Sequence, residues 1–171
     1  IKVGLSYVEN QKMVTFGIKP THPETGYGYL ELSIHPLDDY GSSDLKAFVE
    51  KPNLQDAKQM LETGHYLWNA GIFLFRAKDM IDAFRTHAPE TLDLVSQAVE
   101  GASPDLGFLR LAAEPWSKLE NISIDYAIME KAQNLVAVPY ASKWSDLGGW
   151  DAVWSESKPD TLGYVPSETA H

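Results

Sequence analysis

Cysteine is absent from the 171-residue chain, and its absence excludes disulfide bonds and thiolate metal sites. No apolar run is long enough to span a membrane, and no segment has the pattern of a secretory signal. Basic residues are scarce: 14 Lys and Arg stand against 24 Asp and Glu, a formal net charge of −10. Nucleic-acid binding depends on Lys and Arg at the phosphates. We therefore expect a cytoplasmic protein without nucleic-acid or membrane partners, although one or two well-placed cations could still hold a small phosphate ligand.

The remaining composition is that of an ordinary globular protein, with 44% hydrophobic and 22% charged residues. The length allows one domain with a core of its own. Residues 1–8 include no initiator Met, so we expect the chain to be a piece of a longer protein. From Lys158 onward the chain is polar and carries two prolines. We therefore predict one domain over 1–157 and a connector or tail over 158–171.

Hydrophobic patterning and turn residues predict strands alternating with helices. The predicted strands are Met13–Ile18, Tyr27–Ile34, Leu45–Val49, Ala70–Phe75 and Leu135–Pro139. The predicted helices are Leu54–Thr63, with Asn53 as cap and Gly64 as stop, then Ala77–His87, Glu90–Glu100, Leu106–Ala113, Ile124–Lys131 and a short one after Trp150. This alternation predicts an α/β layered fold.

A loop rich in Pro and Gly, residues 20–28, precedes the second predicted strand. Gly26 and Gly28 flank Tyr27, and a glycine lets the backbone approach a ligand because no Cβ stands in the way. The loop is equally consistent with a stiff turn that only leads into the strand.

Glu50 and Lys51 stand where the third predicted strand meets Pro52. Open α/β sheets bind ligands at such strand ends. A carboxylate accepts hydrogen bonds from sugar hydroxyls, and an ammonium holds a phosphate as a point charge. Neighbouring strand residues face opposite ways, so both serve one ligand only if the strand ends there. Alternatively they are two solvated charges before a helix.

Trp68 and Asn69 come just before the fourth predicted strand. The amide of Asn69 offers both a donor and an acceptor to hydroxyl groups. We expect Trp68 to be a core residue.

Asp146 lies in the Gly-containing segment Trp144–Trp150, where we predict a tight turn. Mg²⁺ favours one or two carboxylates together with phosphate oxygens, which makes Asp146 a candidate ligand. An Asp close to Gly is also a common turn residue, and this alternative stays open.

Taken in order, these segments resemble the second half of the nucleotidyltransferase domain of bacterial mannose-1-phosphate guanylyltransferases. The Glu-Lys-Pro element marks the wider group of sugar-1-phosphate nucleotidyltransferases, whereas Thr-Gly-Tyr-Gly and Trp-Asn-Ala-Gly resemble its mannose branch. The family's GTP-phosphate loop and first metal-binding Asp have no counterpart in 1–171. The matching segments are Thr15–Ile18, Pro23–Tyr29, Phe48–Pro52, Trp68–Gly71, Ser123–Tyr126 and Trp144–Gly148.

The resemblance implies the C-terminal half of a Rossmann-like α/β sandwich with a mixed sheet. It implies a reaction of GTP with mannose 1-phosphate that gives GDP-mannose and pyrophosphate, and Mg²⁺ as cofactor. It assigns the phosphate of mannose 1-phosphate to Lys51 and the sugar hydroxyls to Glu50, to Asn69 and to the backbone of Gly28. It makes Asp146 one of two carboxylates on Mg²⁺. Wall or scaffold roles fall to Thr25, Tyr27 and Asp125.

Two other functions remain open. One is a nucleotidyltransferase for another sugar 1-phosphate, such as glucose 1-phosphate, and the other is a non-catalytic binding or assembly module derived from this fold. Because the GTP loop lies outside 1–171, we expect the chain alone to be inactive. Assembly into a homo-oligomer stays open.

Overall fold

The computed structural model describes residues 1–33, 41–157 and 163–165. Ile34, the predicted end of the second strand, and residues 158–162 and 166–171 of the predicted tail lie outside the described residues. The chain divides into two units, Ile1–Tyr140 and Ala141–His171, and each is described by itself. The predicted boundary at 157/158 stays a prediction.

Helices and strands are interspersed along the first unit, although several strands and two helices follow one another without a change of type. The elements are α1 (Lys2–Glu9), β1 (Met13–Ile18), β2 (Tyr29–Leu32), β3 (Ser43–Val49), α2 (Leu54–Thr63), β4 (Tyr66–Leu74), α3 (Ala77–His87), α4 (Pro89–Glu100), β5 (Ser103–Asp105), β6 (Phe108–Arg110), α5 (Ala113–Ser117), a π-helical turn (Asp125–Met129) and β7 (Leu135–Pro139). In the second unit, α6 spans Trp150–Glu156. None of the helices in the described ranges is long and apolar enough to cross a membrane.

Five strands close into a barrel in the order β1-β4-β2-β3-β7. Only β1 and β7 run parallel, so the predicted mixed sheet is confirmed. The closing pair is short, since β3 meets β7 only at Ser43 and Asp44. Gly17 on β1 lets β4 approach closely, because a Cβ there would lie 2.5 Å from Cδ1 of Leu67.

The strands bury apolar side chains on both faces. One core cluster includes Met13, Leu30, Phe48 and Ile128, and it packs beneath α3 and the π-helical turn. A smaller cluster joins Tyr29, Ala57 and Trp68 under α2. The second cluster confirms Trp68 as a core residue.

The caps of α2 follow the prediction. The side chain of Asn53 accepts a hydrogen bond from the main-chain N–H of Asp56 at 3.0 Å, as an N-cap does. Gly64 ends the helix with a φ of 68°, a left-handed conformation that favours glycine. The cap therefore fixes where α2 begins, and its N-cap residue Asn53 lies two positions after Lys51.

The helix predicted over Leu106–Ala113 is wrong. This segment is a β-hairpin of β5 and β6, followed by α5. Leu106 and Gly107 have φ values of 47° and 89°, so both central residues adopt the left-handed conformation that a tight hairpin turn needs. The guanidinium of Arg110 also pairs with Asp105 across the hairpin.

Candidate active site

Glu50, Gly28 and Asn69 lie side by side: Glu50 directly follows β3, Gly28 directly precedes β2 and Asn69 lies within β4. Tyr29 pairs with Val49 on one side and with Trp68 on the other, so one residue further places Gly28 between Glu50 and Asn69. The main-chain N–H of Asn69 donates to the carbonyl of Gly28 at 2.7 Å. The structure thus brings together three residues that are up to 41 positions apart in the sequence.

Gly28 is buried, and the space beside it is filled by the carboxylate of Glu50. A Cβ at Gly28 would lie 2.6 Å from Oε2 of Glu50 and 3.3 Å from Cβ of Asn69. Contacts under 3.0 Å force a neighbour to move. The absence of a side chain at Gly28 is therefore what allows the carboxylate of Glu50 to sit against the main chain of β2.

The carboxylate of Glu50 is only 7% exposed, and it pairs with the ammonium of Lys51 at 3.3 Å. Burial raises the pKa of Glu50, the carboxylate of Asp125 raises it further, and Lys51 opposes both. The side chain of Lys51 is 56% exposed. Lys51 therefore presents a cation at the rim of an acidic, half-buried site, where an incoming phosphate could reach it.

The backbone of Lys51 is left-handed, with a φ of 48°. For a residue with a Cβ this conformation costs roughly 1–2 kcal/mol. Two hydrogen bonds hold it: the N–H of Lys51 donates to the carbonyl of Tyr27 at 3.2 Å, and the N–H of Glu50 donates to Oε1 of Glu130 at 2.9 Å. Such local strain clusters at functional sites, where surrounding contacts over-determine it.

The amide of Asn69 is largely committed to the protein. Its Oδ1 accepts from the hydroxyl of Thr15 at 2.9 Å and from the N–H of Gly71 at 3.1 Å, while Nδ2 donates to Asp125 at 3.3 Å. Asn69 is 9% exposed and Thr15 is fully buried. Asn69 can therefore offer a ligand only its remaining amide hydrogen, which narrows the predicted donor-and-acceptor role to that of a donor.

Asp125 lies at the start of the π-helical turn and is half-buried. Burial raises its pKa, and the nearby Lys51 and the Asn69 amide partly oppose that rise. The ammonium of Lys51 thus interacts with two carboxylates, those of Glu50 and Asp125. Carboxylates in such a place can accept hydrogen bonds from several hydroxyl groups of a polar ligand.

Aromatic rings line the loop that leads into β2. Trp68 is 5% exposed and meets the ring of Tyr27 edge-on at 5.2 Å and that of His22 at 4.9 Å. These contacts fit Tyr27 as a wall residue. Thr25 is exposed on the loop.

Asp146 lies in the second unit. Its carboxylate lies over Gly148, where an added Cβ would overlap it, and the intervening Leu147 has a φ of 51°. In the parts of the chain that the structure describes, no group of three or more His, Asp or Glu side chains could together hold a metal ion. A single carboxylate still fits one protein ligand of Mg²⁺, which takes most of its oxygens from substrate and water.

Sequence reasoning missed two residues of this site, Thr15 and Glu130. Thr15 lies inside an apolar strand, where a Thr is unremarkable. Glu130 follows the π-helical turn and reaches a residue 80 positions away. Thr15 meets Asn69, and Glu130 meets Glu50, only in the folded barrel. The segments around Thr15 and Glu130 carry no local sequence signal of a site residue.

A sequence model of the family described as nucleotidyl transferase matches residues 5–162 of this chain. The chain belongs to the nucleotidyl transferase family. Within that family it is 48% identical over 154 residues to a mannose-1-phosphate guanylyltransferase of Sinorhizobium fredii, covering 90% of this chain and 30% of that protein. It is 39% identical over 168 residues to the mannose-1-phosphate guanylyltransferase of Escherichia coli K12, covering 96% of this chain and 35% of that protein. The predicted resemblance is confirmed.

This nucleotidyl transferase chain also resembles the xanthan biosynthesis protein XanB of Xanthomonas campestris, with 40% identity over 163 residues, 95% of this chain and 34% of that protein. It spans about a third of the length of these curated relatives.

Two solved structures share the fold of this chain. A mannose-6-phosphate isomerase from Helicobacter pylori superposes with a TM-score of 0.76 at 31% identity, over 85% of this chain and 56% of that one. A protein from Thermus thermophilus, described as mannose-1-phosphate geranyltransferase, gives a TM-score of 0.71 at 32% identity, over 92% of this chain and 45% of that one. The predicted α/β nucleotidyltransferase fold is confirmed.

Proposed function

We propose that this chain is the sugar-phosphate-binding part of a mannose-1-phosphate guanylyltransferase, which makes GDP-mannose and pyrophosphate from GTP and mannose 1-phosphate. The observation that carries the proposal is the meeting of Glu50, Gly28 and Asn69 beside the cation of Lys51 at one end of the barrel. The names of the relatives supply the sugar and the nucleotide.

In this proposal the ammonium of Lys51 holds the phosphate of mannose 1-phosphate as a catalytic residue. The carboxylate of Glu50 accepts hydrogen bonds from sugar hydroxyls, and Asn69 donates its remaining amide hydrogen to a sugar oxygen. Gly28 leaves room for the Glu50 carboxylate, and its main chain binds a sugar hydroxyl. A dianion binds here despite the acidic chain because the exposed ammonium lies at the rim, ahead of the half-buried carboxylates.

A phosphate oxygen of mannose 1-phosphate attacks the α-phosphorus of GTP in line, one P–O bond forms and the bond to pyrophosphate breaks. No covalent intermediate with the protein is needed, so the residues act by positioning and by neutralising charge. Asp146 would be one ligand of Mg²⁺, and when bound the metal would supply positive charge to the phosphate oxygens. The proposal leaves the GTP phosphates to residues outside 1–171.

The proposed location is the cytoplasm, where the nucleotide substrate is made. The product serves polysaccharide biosynthesis in this proposal, as the name of the xanthan biosynthesis relative indicates for that protein.

Calorimetric titration of the chain with mannose 1-phosphate, glucose 1-phosphate and GTP tests the proposal. We expect weak binding of mannose 1-phosphate, weaker binding of glucose 1-phosphate and no binding of GTP. Equal binding of the two sugar phosphates would favour an enzyme for another sugar. A folded chain that binds none of the three would favour the non-catalytic module.

A further inference from the structure

Just after β3, the main-chain N–H of Glu50 forms no hydrogen bond with a neighbouring strand in the described ranges. The N–H of Lys51 points toward β2 and donates to the carbonyl of Tyr27. Because successive N–H groups of a strand point to opposite sides, the N–H of Glu50 points away from β2. On that side β3 pairs with β7 only at Ser43 and Asp44, at the far end of the strand.

The side chain of Glu130 supplies the acceptor that a neighbouring strand would otherwise offer to the N–H of Glu50. Its Oε1 accepts the N–H of Glu50 at 2.9 Å. A carboxylate that accepts a main-chain N–H makes a charge-assisted hydrogen bond, stronger than a neutral one. The bond fixes the peptide immediately before Lys51, whose backbone is left-handed.

The π-helical turn explains how Glu130 reaches this point. In an α-helix with about 3.6 residues per turn, side chains five residues apart point about 140° away from each other. Here the N–H of Glu130 donates to the carbonyl of Asp125 at 2.9 Å, five residues back, which widens the turn by one residue. Asp125 and Glu130 therefore both face the barrel end, where one meets the Asn69 amide and the other the Glu50 peptide.

We propose that Glu130 is a positioning residue of the sugar-phosphate site: it anchors the main chain of Glu50 and thereby sets the place of the Lys51 ammonium. The inference rests on the proposed function for the ligand, but the anchoring itself is a property of the chain. Glu130 does not touch the ligand in this scheme.

Removing Glu130 changes the affinity for mannose 1-phosphate in opposite directions depending on whether its charge or its hydrogen bond to Glu50 matters more. Removing a carboxylate near a dianion's site should strengthen binding by electrostatics alone. If Glu130 anchors the Glu50 peptide, Glu130→Ala should instead weaken mannose 1-phosphate binding by about twofold to tenfold, the size expected for one hydrogen bond. Glu130→Gln keeps an oxygen acceptor and loses the charge, so it should bind as tightly as the parent chain or more tightly.

The experiment is calorimetric titration of both variants with mannose 1-phosphate, with Glu100→Ala as the control at an exposed glutamate that ends α4. Thermal unfolding of each variant checks that it folds. Glu130→Ala binding as tightly as the parent chain would overturn the proposal, and so would Glu130→Gln binding as weakly as Glu130→Ala.

A second readout needs no ligand and separates this proposal from the proposed function. Amide hydrogen exchange by NMR should show the N–H of Glu50 protected in the parent chain and in Glu130→Gln, and faster by about twofold to tenfold in Glu130→Ala. If no variant binds the sugar phosphate but this pattern holds, the proposed function fails and the anchor stands. Unchanged exchange in Glu130→Ala would overturn the anchor.

Discussion

Two substitutions at Lys51 separate its charge from its backbone conformation. Lys51→Ala removes the ammonium but keeps a Cβ at a φ of 48°. Lys51→Gly removes the ammonium and the Cβ together. Both should weaken mannose 1-phosphate binding equally, whereas the free energy of unfolding should differ between them.

The structure sets both magnitudes. The lost charge-assisted hydrogen bond to phosphate is worth about 1.5–3 kcal/mol, which corresponds to roughly tenfold to hundredfold in affinity. The ion pair with Glu50 contributes little, because Lys51 is 56% exposed. The left-handed conformation costs Ala roughly 1–2 kcal/mol, and the greater freedom of Gly in the unfolded chain offsets about 0.4–1 kcal/mol of that. Lys51→Gly should thus be about 0.5–1 kcal/mol more stable than Lys51→Ala.

The assay is calorimetric titration with mannose 1-phosphate alongside urea unfolding, with Lys58→Ala on the exposed side of α2 as the control. Lys51→Arg should restore binding only in part, since a planar fork does not replace a compact point charge. If affinity follows stability, so that Lys51→Gly binds better than Lys51→Ala, Lys51 acts as a scaffold residue. Parent-like binding in both variants would refute the site assignment.

The other predictions concern activity, the glycine cradle, metal and pH. The 171-residue chain alone should release no pyrophosphate from GTP and mannose 1-phosphate, and detectable GDP-mannose would contradict the proposed division of the site. Gly28→Ala should weaken mannose 1-phosphate binding roughly tenfold, because the added Cβ would displace the Glu50 carboxylate. The matched control is Gly26→Ala, whose Cβ would meet only the end of the Glu24 side chain at 3.2 Å. Equal effects of the two substitutions would refute the role of Gly28 in making room for Glu50. In an enzyme that includes the GTP-binding half, Asp146→Asn should lower turnover severely and raise the Mg²⁺ requirement, since an amide is a poor ligand for a hard cation; a near-normal rate at limiting Mg²⁺ would leave Asp146 as a turn residue. Because burial raises the pKa of Glu50 above its usual 4.5, the folded chain binds its proton more tightly than the unfolded chain, so stability should fall as pH rises from about 4.5 through the raised pKa. Glu50→Gln should remove that part of the fall in urea unfolding, and an unchanged pH profile would show that Glu50 is not the group responsible.

Cap and stop residues in the sequence correctly predicted where α2 begins and ends. Asn53 and Gly64 bound α2 because cap and stop chemistry act within a few residues. Glu50 and Gly28 were predicted as site residues because strand ends and glycines have distinct chemistry. The structure adds that these two residues lie opposite each other, Gly28 directly before β2 and Glu50 directly after β3.

Long-range contacts and positive φ angles explain what the sequence did not reveal. The turn between β5 and β6 contains Leu106, a residue type that rarely adopts a φ of 47°. The apolar side chain of Leu106 favoured the prediction of a helix instead. The bonds from Thr15 to Asn69 and from Glu130 to Glu50 span 54 and 80 residues, so they exist only once the barrel has closed. The roles of these residues toward a ligand stay predictions.

The short pairing between β3 and β7 also affects how copies of the chain meet in solution. Beyond Asp44, in the described part of the barrel, the outer edge of β3 has no strand beside it. An unpaired edge is a template for pairing with a strand of another molecule, and charged side chains, especially Lys, discourage this. Lys46, which is 67% exposed and paired with Glu31 at 2.5 Å, stands on this edge. Replacing Lys46 with an apolar residue would therefore make the chain more prone to aggregate through β3, at the strand that ends in the proposed site.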